Sequence, residues 1–338
     1  MSTTVLQALI GGLTMGGIYA LIALGFSLTY TTTRTLNFAQ GDFVSVGAFV
    51  GLGTVGLVAS ALAIDPATSP WAYVLAALAA TVVMGVMGLP LYLAAIRPFA
   101  GRPGMSWVMS TIGFGIIMQS AALSLWGPGA RMVAAPLGDD VIRVAGVGFR
   151  SQEIVVLVLA MLLLGAVDFA MHRTSLGRSM RAVALNRDAA ALMGIPVARV
   201  MALTFVVSSA LAGLSGVLIA PIVSASLFMG VVIALKGFSA AIVGGLTNLR
   251  GCMLGGVLIG LAESFTGLWS AQWREIVVFV VVIAVLAAFP MACSARPWWR
   301  KYERRADPGA ASASPAQPAA WRHRAGSLAR RPGLAAGQ

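Results

Sequence analysis

The sequence predicts an all-α polytopic membrane protein, a bundle of eight to ten transmembrane helices with nine as the central expectation. Three observations carry that reading. Of 338 residues 59% are apolar and 10% charged, with a mean hydropathy of +0.89, whereas water-soluble domains carry about 25% charged residues. The charges are also segregated, because residues 1–33, 43–64, 66–96, 103–130 and 200–235 contain no Asp, Glu, Lys or Arg. Each of these runs is long enough for a helix crossing the bilayer, which needs about 20 residues. Finally, the arginines alternate in density from loop to loop, as they do in multi-pass chains.

The first helix is expected over 5–30. The stretch before it lacks a basic n-region and the apolar run continues to Tyr30, so it reads as a retained helix rather than a signal peptide. Further helices are expected over 43–64, 71–94, 106–126, 153–172, 200–220, 228–248, 252–269 and 274–290. Pro66, Pro70, Gly101-Arg102-Pro103-Gly104, Gly127-Pro128-Gly129 and Pro221 mark the turns. The seventh segment contains Lys236 and several glycines, and is expected either to span or to re-enter. Gly12/Gly16, Gly47/Gly51, Gly251/Gly255 and Gly256/Gly260 are small-xxx-small pairs suited to close helix packing.

Loops 31–42, 95–105, 173–199 and 249–251 hold nine Arg, against only Arg131, Arg143 and Arg150 in 65–70, 127–152, 221–227 and 270–273. The positive-inside rule then puts loop 173–199 and the C-terminus in the cytoplasm and the N-terminus outside. The expected domains are a membrane domain, 1–293, and a basic, disordered cytoplasmic tail, 294–338. Of the net charge of +12, that tail supplies nine basic and two acidic residues, so the basic balance reports topology and not a nucleic-acid partner.

No G-x-x-x-x-G-K-[ST] motif, His-Glu-x-x-His motif or Ser/His/Asp set occurs. Cys252 and Cys293 read as small packing residues, and His172 and His323 are too far apart in sequence to suggest a metal site. Neither cofactor nor metal is expected. The informative groups are ionisable residues at membrane depth, each costing ~2.5–3.5 kcal/mol at a helix centre. Asp168, beside His172 and Arg173, reads as solvated or paired. Lys236 and Glu263 are opposite charges on neighbouring helices, which either pair or face a pathway. Asn37, Gln40, Gly41 and Asp42 form a polar interruption between two apolar helices. They either cap exposed backbone and complement a helix dipole or line a path.

Loop Ser175–Val200 is too apolar for a linker and too charged to span. Met180, Val183, Ala184, Ala191, Leu192 and Ile195 make an apolar stripe beside Arg178, Arg181, Arg187 and Asp188. This predicts two short amphipathic helices turning at Gly194, lying on lipid or serving as a docking knob.

Asp188-Ala189-Ala190-x-x-x-Gly194 resembles the E-A-A-x-x-x-G cytoplasmic loop of ATP-binding-cassette importer permeases, with Asp for Glu. The fuller string GRSMRAVALNRDAAALMGI resembles that of permeases in the branched-chain amino-acid transporter family. So do GGLTMGGIYALIALGFSLTYTTTRTLNFAQGDF and Leu235-Lys236-Gly237-Phe238 leading to Val243-Gly244-Gly245-Leu246 and the Gly255–Glu263 helix. The resemblance covers about residues 5–290. It implies a bacterial inner-membrane permease subunit, without ATPase activity, importing branched-chain or related amino acids. Urea, short amides or other small organic solutes are the alternative cargo within the family. The implied partners are a second related permease, two cytoplasmic ATPase subunits, a periplasmic solute-binding protein and the lipid bilayer.

On this reading Asn37, Gln40, Gly41, Asp42, Lys236 and Glu263 belong to the substrate pathway or gate. Gly177, Arg178, Met180, Arg181, Ala182, Asp188, Ala189, Ala190, Leu192 and Gly194 form the coupling-helix loop, with Met180, Val183 and Leu192 as its apolar anchor. Two departures stand out: Arg250 in Gly244-Gly245-Leu246-Thr247-Asn248-Leu249-Arg250-Gly251, where the family pattern is G-G-L-G-S-x-x-G, and the Arg- and Ala-rich tail. The competing class is a proton-coupled secondary transporter using Asp42, Lys236 and Glu263 as a relay. An intramembrane enzyme is disfavoured, because no nucleophile and base are paired in the sequence.

Overall fold

A computed structural model describes residues 2–62, 70–99, 105–133, 141–144 and 147–288. The expected boundary at 293/294, the basic tail and Cys293 lie outside the described residues. Each of the nine predicted segments is a helix: α1 (Ser2–Thr33), α2 (Gln40–Leu62), α3 (Pro70–Pro90), α4 (Ser106–Trp126), α5 (Ser151–Arg173), α8 (Val197–Val223), α9 (Met229–Gly244), α10 (Leu249–Gly267) and α11 (Trp273–Ala288). The remaining two, α6 (Ser175–Leu185) and α7 (Arg187–Leu192), fall inside loop 173–199. A π-helical stretch, Leu91–Ile96, and a 3-10 turn, Arg97–Phe99, prolong α3.

Among the described residues seven helices are long and apolar enough to cross a membrane, so the chain is a multi-pass membrane protein. α9 has 16 residues and rises about 24 Å, short of the ~30 Å hydrocarbon thickness, and α11 has 16 residues among those described. The fold is helical throughout the bundle, with one small addition. Between α4 and α5 an antiparallel hairpin, β1 (Val141–Val144) and β2 (Val147–Arg150), pairs Val141 with Arg150 and Val144 with Val147. Gln7 of α1 donates to the Gly148 carbonyl at 3.0 Å and ties that hairpin to the bundle.

Small residues determine which helices meet. The Gly12/Gly16 face of α1 lies against Gly256, Leu261 and Gly260 of α10, and a Cβ on Gly16 or Gly260 would collide with backbone of the other helix. Gly47 of α2 meets Gly213 of α8, and Gly251/Gly255 of α10 meet Gly244 and Ala240 of α9. Such approaches let dispersion and backbone contacts replace the hydrophobic drive that lipid does not supply. α1 and α8 form the centre, with Ile18, Leu21, Ile22, Leu24, Phe205 and Leu218 fully buried. α4 and α5 are peripheral and expose Ile116, Ile117, Met161 and Leu162.

The two halves of the chain pack alike. α1 runs antiparallel along α10, as α8 does along α3; α9 runs with α1, as α2 does with α8. This relates α1–α2–α3–α4 to α8–α9–α10–α11 with opposite chain direction, as in membrane folds built from inverted repeats. Among the described residues only Arg34 (φ 56°) and Ser224 (φ 73°) are non-glycines with positive φ, and they occupy corresponding places. Each follows a long central helix, and each starts a short return of the chain into the bundle.

Candidate functional site

The first return runs from Arg34 to Gln40 and brings the start of α2 back beside Gly25, two turns inside α1. Asn37 and Gln40 are wholly buried there. Asn37 Nδ2 donates to Gln40 Oε1 (3.1 Å) and its Oδ1 accepts from the Ala39 N–H (3.1 Å). Gln40 Nε2 donates to the Ser208 carbonyl at 3.3 Å. The Ser208 hydroxyl sits 2.9 Å from the Gly25 carbonyl and 3.2 Å from Gln40 Oε1. One amide thus joins the α2 terminus to α1 and α8.

The second return, from Ser224, brings the start of α9 to the same place. Gly41 and Gly230 touch so closely that a Cβ on either would strike the other's backbone, and the Ser45 hydroxyl accepts from the Gly230 N–H at 2.9 Å. Two helix N-termini therefore meet inside the protein. Asp42 is half-buried beside them with its carboxylate against Gly115 of α4. Among the described residues it has no cationic partner.

Lys236 and Glu263 pair with each other. Lys236 Nζ donates to Glu263 Oε1 at 2.9 Å and to Glu275 Oε1 at 2.8 Å. Glu263 also lies 3.4 Å from Arg274 Nε and accepts from the Tyr19 hydroxyl at 2.8 Å. The Lys236 and Glu263 side chains are only 6% and 4% exposed, whereas Arg274 and Glu275 at the start of α11 are 45% and 58% exposed. Two cations and two anions cancel, so the buried part carries no uncompensated charge. Among the described residues no hydrogen bond or ion pair joins this group to Gln40, Asn37 or Asp42; the sequence-predicted pathway residues fall into two separate clusters.

The loop between α5 and α8 is the predicted pair of short helices, with a different joint. The Thr174 hydroxyl caps α6 by accepting from the Gly177 N–H (3.1 Å). Asn186, not Gly194, separates the helices, and its side chain accepts from the Asp188 and Ala189 N–H groups to start α7. Gly194 (φ 80°) instead ends α7, because the Gly194 and Ile195 N–H groups return to the Ala191 and Ala190 carbonyls. That pattern needs a left-handed residue after the cap, hence glycine.

The anchor is corrected as well. Met180, Val183 and Ala190 are buried against the bundle, and Gly177 packs on Met171 backbone. Of the expected anchor residues Met180, Val183 and Leu192, only Leu192 is exposed, at 89%, and Met193, Leu185 and Leu176 are exposed with it. Arg178, Arg181, Asp188 and Ala189 are exposed around these side chains and Ala182 is half-buried. The apolar stripe therefore has two faces, one rooting the knob and one presented outward.

Sequence reasoning missed Tyr19, Ser45, Ser208, Arg274 and Glu275, and it placed Arg187 beside the α6–α7 stripe without its contact to α1. Arg187 Nε donates to the Thr32 carbonyl at 3.1 Å, and burial, with the nearby Arg34, holds its pKa below the usual arginine value. Arg250, the departure from the family pattern, makes a two-pronged contact with Asp168 (2.9 and 3.0 Å) that links α10 to α5, with His172 on the same carboxylate. Asp168 is thus paired.

Residues 8–286 match the family model described as branched-chain amino acid transport system / permease component. The chain is 30% identical over 300 residues to the high-affinity branched-chain amino acid transport system permease protein BraD of Pseudomonas aeruginosa, covering 86% of this chain and 96% of that one. It is 30% identical over 301 residues to LivH of Escherichia coli K12, with the same coverage. It is 29% identical over 307 residues to a probable LivH of Methanocaldococcus jannaschii, covering 85% and 92%. With a family model spanning the whole bundle and these relatives aligned almost end to end, the chain belongs to the family of branched-chain amino acid transport system permease components.

Proposed function

We propose that this chain is the inner-membrane permease subunit of an ATP-driven importer for branched-chain or closely related amino acids. The observation that carries the reading is the α6–α7 knob. Buried Met180, Val183 and Ala190 root it, and it offers Leu176, Leu185, Leu192 and Met193 to a partner. With no G-x-x-x-x-G-K-[ST] motif in the sequence, work has to arrive mechanically from a separate ATPase, and a rigid, partly apolar projection suits that task. Two cytoplasmic ATPase subunits dock there, a second related permease completes the pathway, and a solute-binding protein delivers cargo on the outer side. The knob and the C-terminus face the cytoplasm and the N-terminus faces outward, following the arginine distribution.

No bond is made or broken in the cargo on this chain. Its task is to offer two packings of the bundle a few kcal/mol apart, which ATP and the loaded binding protein favour in turn. The junction of the α2 and α9 termini, with Asn37, Gln40, Gly41 and Asp42, is the gate in this reading. The Lys236–Glu263 group is a staple and not a path, since each charge is already neutralised by its neighbours. That pairing also argues against a proton relay through these residues.

The test is reconstitution of the complete complex in liposomes with its binding protein and radiolabelled leucine, valine or a short amide. Uptake should require ATP and survive a protonophore. Uptake that stops with the protonophore while ATP is maintained contradicts the reading, and uptake of the amide alone selects the alternative cargo.

A further inference from the structure

α1 ends at Thr33, and the final carbonyls of any helix lack donors from within it. Arg34 N–H returns to the Tyr30 carbonyl at 2.8 Å, and the Thr32 carbonyl is taken by Arg187, the first residue of α7. This is a contact across 155 residues of sequence. It joins the knob to the helix end just before Arg34, where the chain turns back towards Asn37 and Gln40. The knob's buried roots, Met180, Val183 and Ala190, are apolar and hold it without imposing a direction, and the Arg181 Nη2 bond to the His172 carbonyl (3.4 Å) ties α6 to the end of α5 and not to α1. The Arg187 bond is directional and sits at the negative end of a helix dipole, where a guanidinium is favoured. Its Nη2 is buried with no hydrogen-bond partner among the described residues, an unusual state for a buried donor.

We propose that Arg187 is the positioning residue that carries displacement of the α6–α7 knob to the α1–α2 turn, and so to the Gln40–Ser208 contact. A short movement of α7 offers the unused Nη2 to the neighbouring carbonyls of Thr31 and Thr33, which gives the link a second register. Arg187 touches no cargo; it acts through Thr32 and the turn at Arg34. The proposal rests on the reading of the chain as an ATP-driven permease.

The experiment measures ATP hydrolysed per leucine taken up by the complete complex in liposomes, with its binding protein and radiolabelled leucine. Wild-type uptake must first depend on ATP; if it does not, the functional reading fails rather than this one. Arg187→Gln should assemble and hydrolyse ATP while the ATP cost per leucine rises about fivefold or more, the lower bound for a typical coupling between sites. Arg187→Lys, which keeps a cation and a donor at the helix end, should stay within about twofold of wild type, below that bound. An unchanged ratio in Arg187→Gln overturns the proposal, as does a proportional fall of hydrolysis and uptake, which marks a docking role. Loss of the assembled complex in either variant marks a folding role and also overturns it.

Discussion

The contacts at the α2 terminus and those at the α9–α10 crossing both lie inside the bundle, but the first uses amides and hydroxyls where the second uses full charges. Gln40, Asn37 and Ser208 exchange neutral hydrogen bonds, each contributing about 0.5–1.5 kcal/mol net. Lys236 and Glu263 hold each other, Tyr19 and two residues of α11. Separating them would leave a charge stranded in a medium that cannot solvate it. The difference teaches which junction can move. A neutral contact between helix ends can be exchanged for another at small cost, whereas a buried ion pair resists any packing that divides it.

The charged group gives the largest expected effect. Glu263→Ala leaves Lys236 buried with only the half-exposed Glu275 beside it. Breaking a buried pair from one side costs about 3–5 kcal/mol, so the chain should fall sharply in abundance and thermal midpoint, read by size-exclusion of a fluorescent fusion. Replacing both partners, Lys236→Met with Glu263→Leu, should restore most of the loss. If Glu263→Ala is as stable as wild type, the staple is not one.

Gln40→Ala comes next. It leaves the Asn37 amide without its acceptor and the Ser208 carbonyl without its side-chain donor, at about 1–3 kcal/mol, and the complex should still assemble while ATP-dependent uptake changes. Equal losses in Gln40→Ala and Glu263→Ala would erase the distinction between the clusters.

A glycine-to-valine change at 194 tests the knob apart from both. Forcing an L-residue into the left-handed region costs roughly 1–2 kcal/mol, and no atom lies within 4 Å of where the Cβ would go. The strain therefore stays within the α7 end. The bundle's thermal midpoint should hold while co-purification of the ATPases falls.

The smallest stability effect belongs to Asp42→Asn. Losing a carboxylate from a helix N-terminus costs about 0.3–1 kcal/mol, yet uptake should drop if the junction of α2 and α9 is the gate. Normal uptake at normal abundance would remove Asp42 from it.

Much of this architecture could be read in the sequence, because lipid forces an all-or-none pattern on charge: each uncharged run holds helix, and the run 200–235 holds most of α8 and the start of α9. The glycine pairs were legible for the same reason, since few other residues allow backbones so close. Partners were harder to see. Ser208 sits in a Ser-Ser pair within apolar α8, where a small hydroxyl looks like packing; only the chain's return at Arg34 brings Gln40 to it. The inward course of both returns rests on positive φ at Arg34 and Ser224, residues whose type does not announce it. The stripe on α6 and α7 was visible but not its direction. The knob is apolar both towards the bundle and outward, so periodicity alone could not separate Met180 and Val183 from Leu185 and Leu192. The repeat relating the two halves lies in helix packing and chain direction, which leave no spaced sequence motif.

The most direct test of the contrast places spin-label pairs in the complete complex, with Cys252 and Cys293 replaced. One pair at Phe38 and Phe228, both exposed, reports on the two returns; a second at Leu235 and Ile276, also exposed, reports on the charged staple. Distances would be measured without nucleotide and with ATP trapped. The account predicts that the Phe38–Phe228 distance shifts by at least ~2 Å, the scale of helix movements in switching proteins, while the Leu235–Ile276 distance stays fixed. A fixed first distance with a moving second one would contradict it.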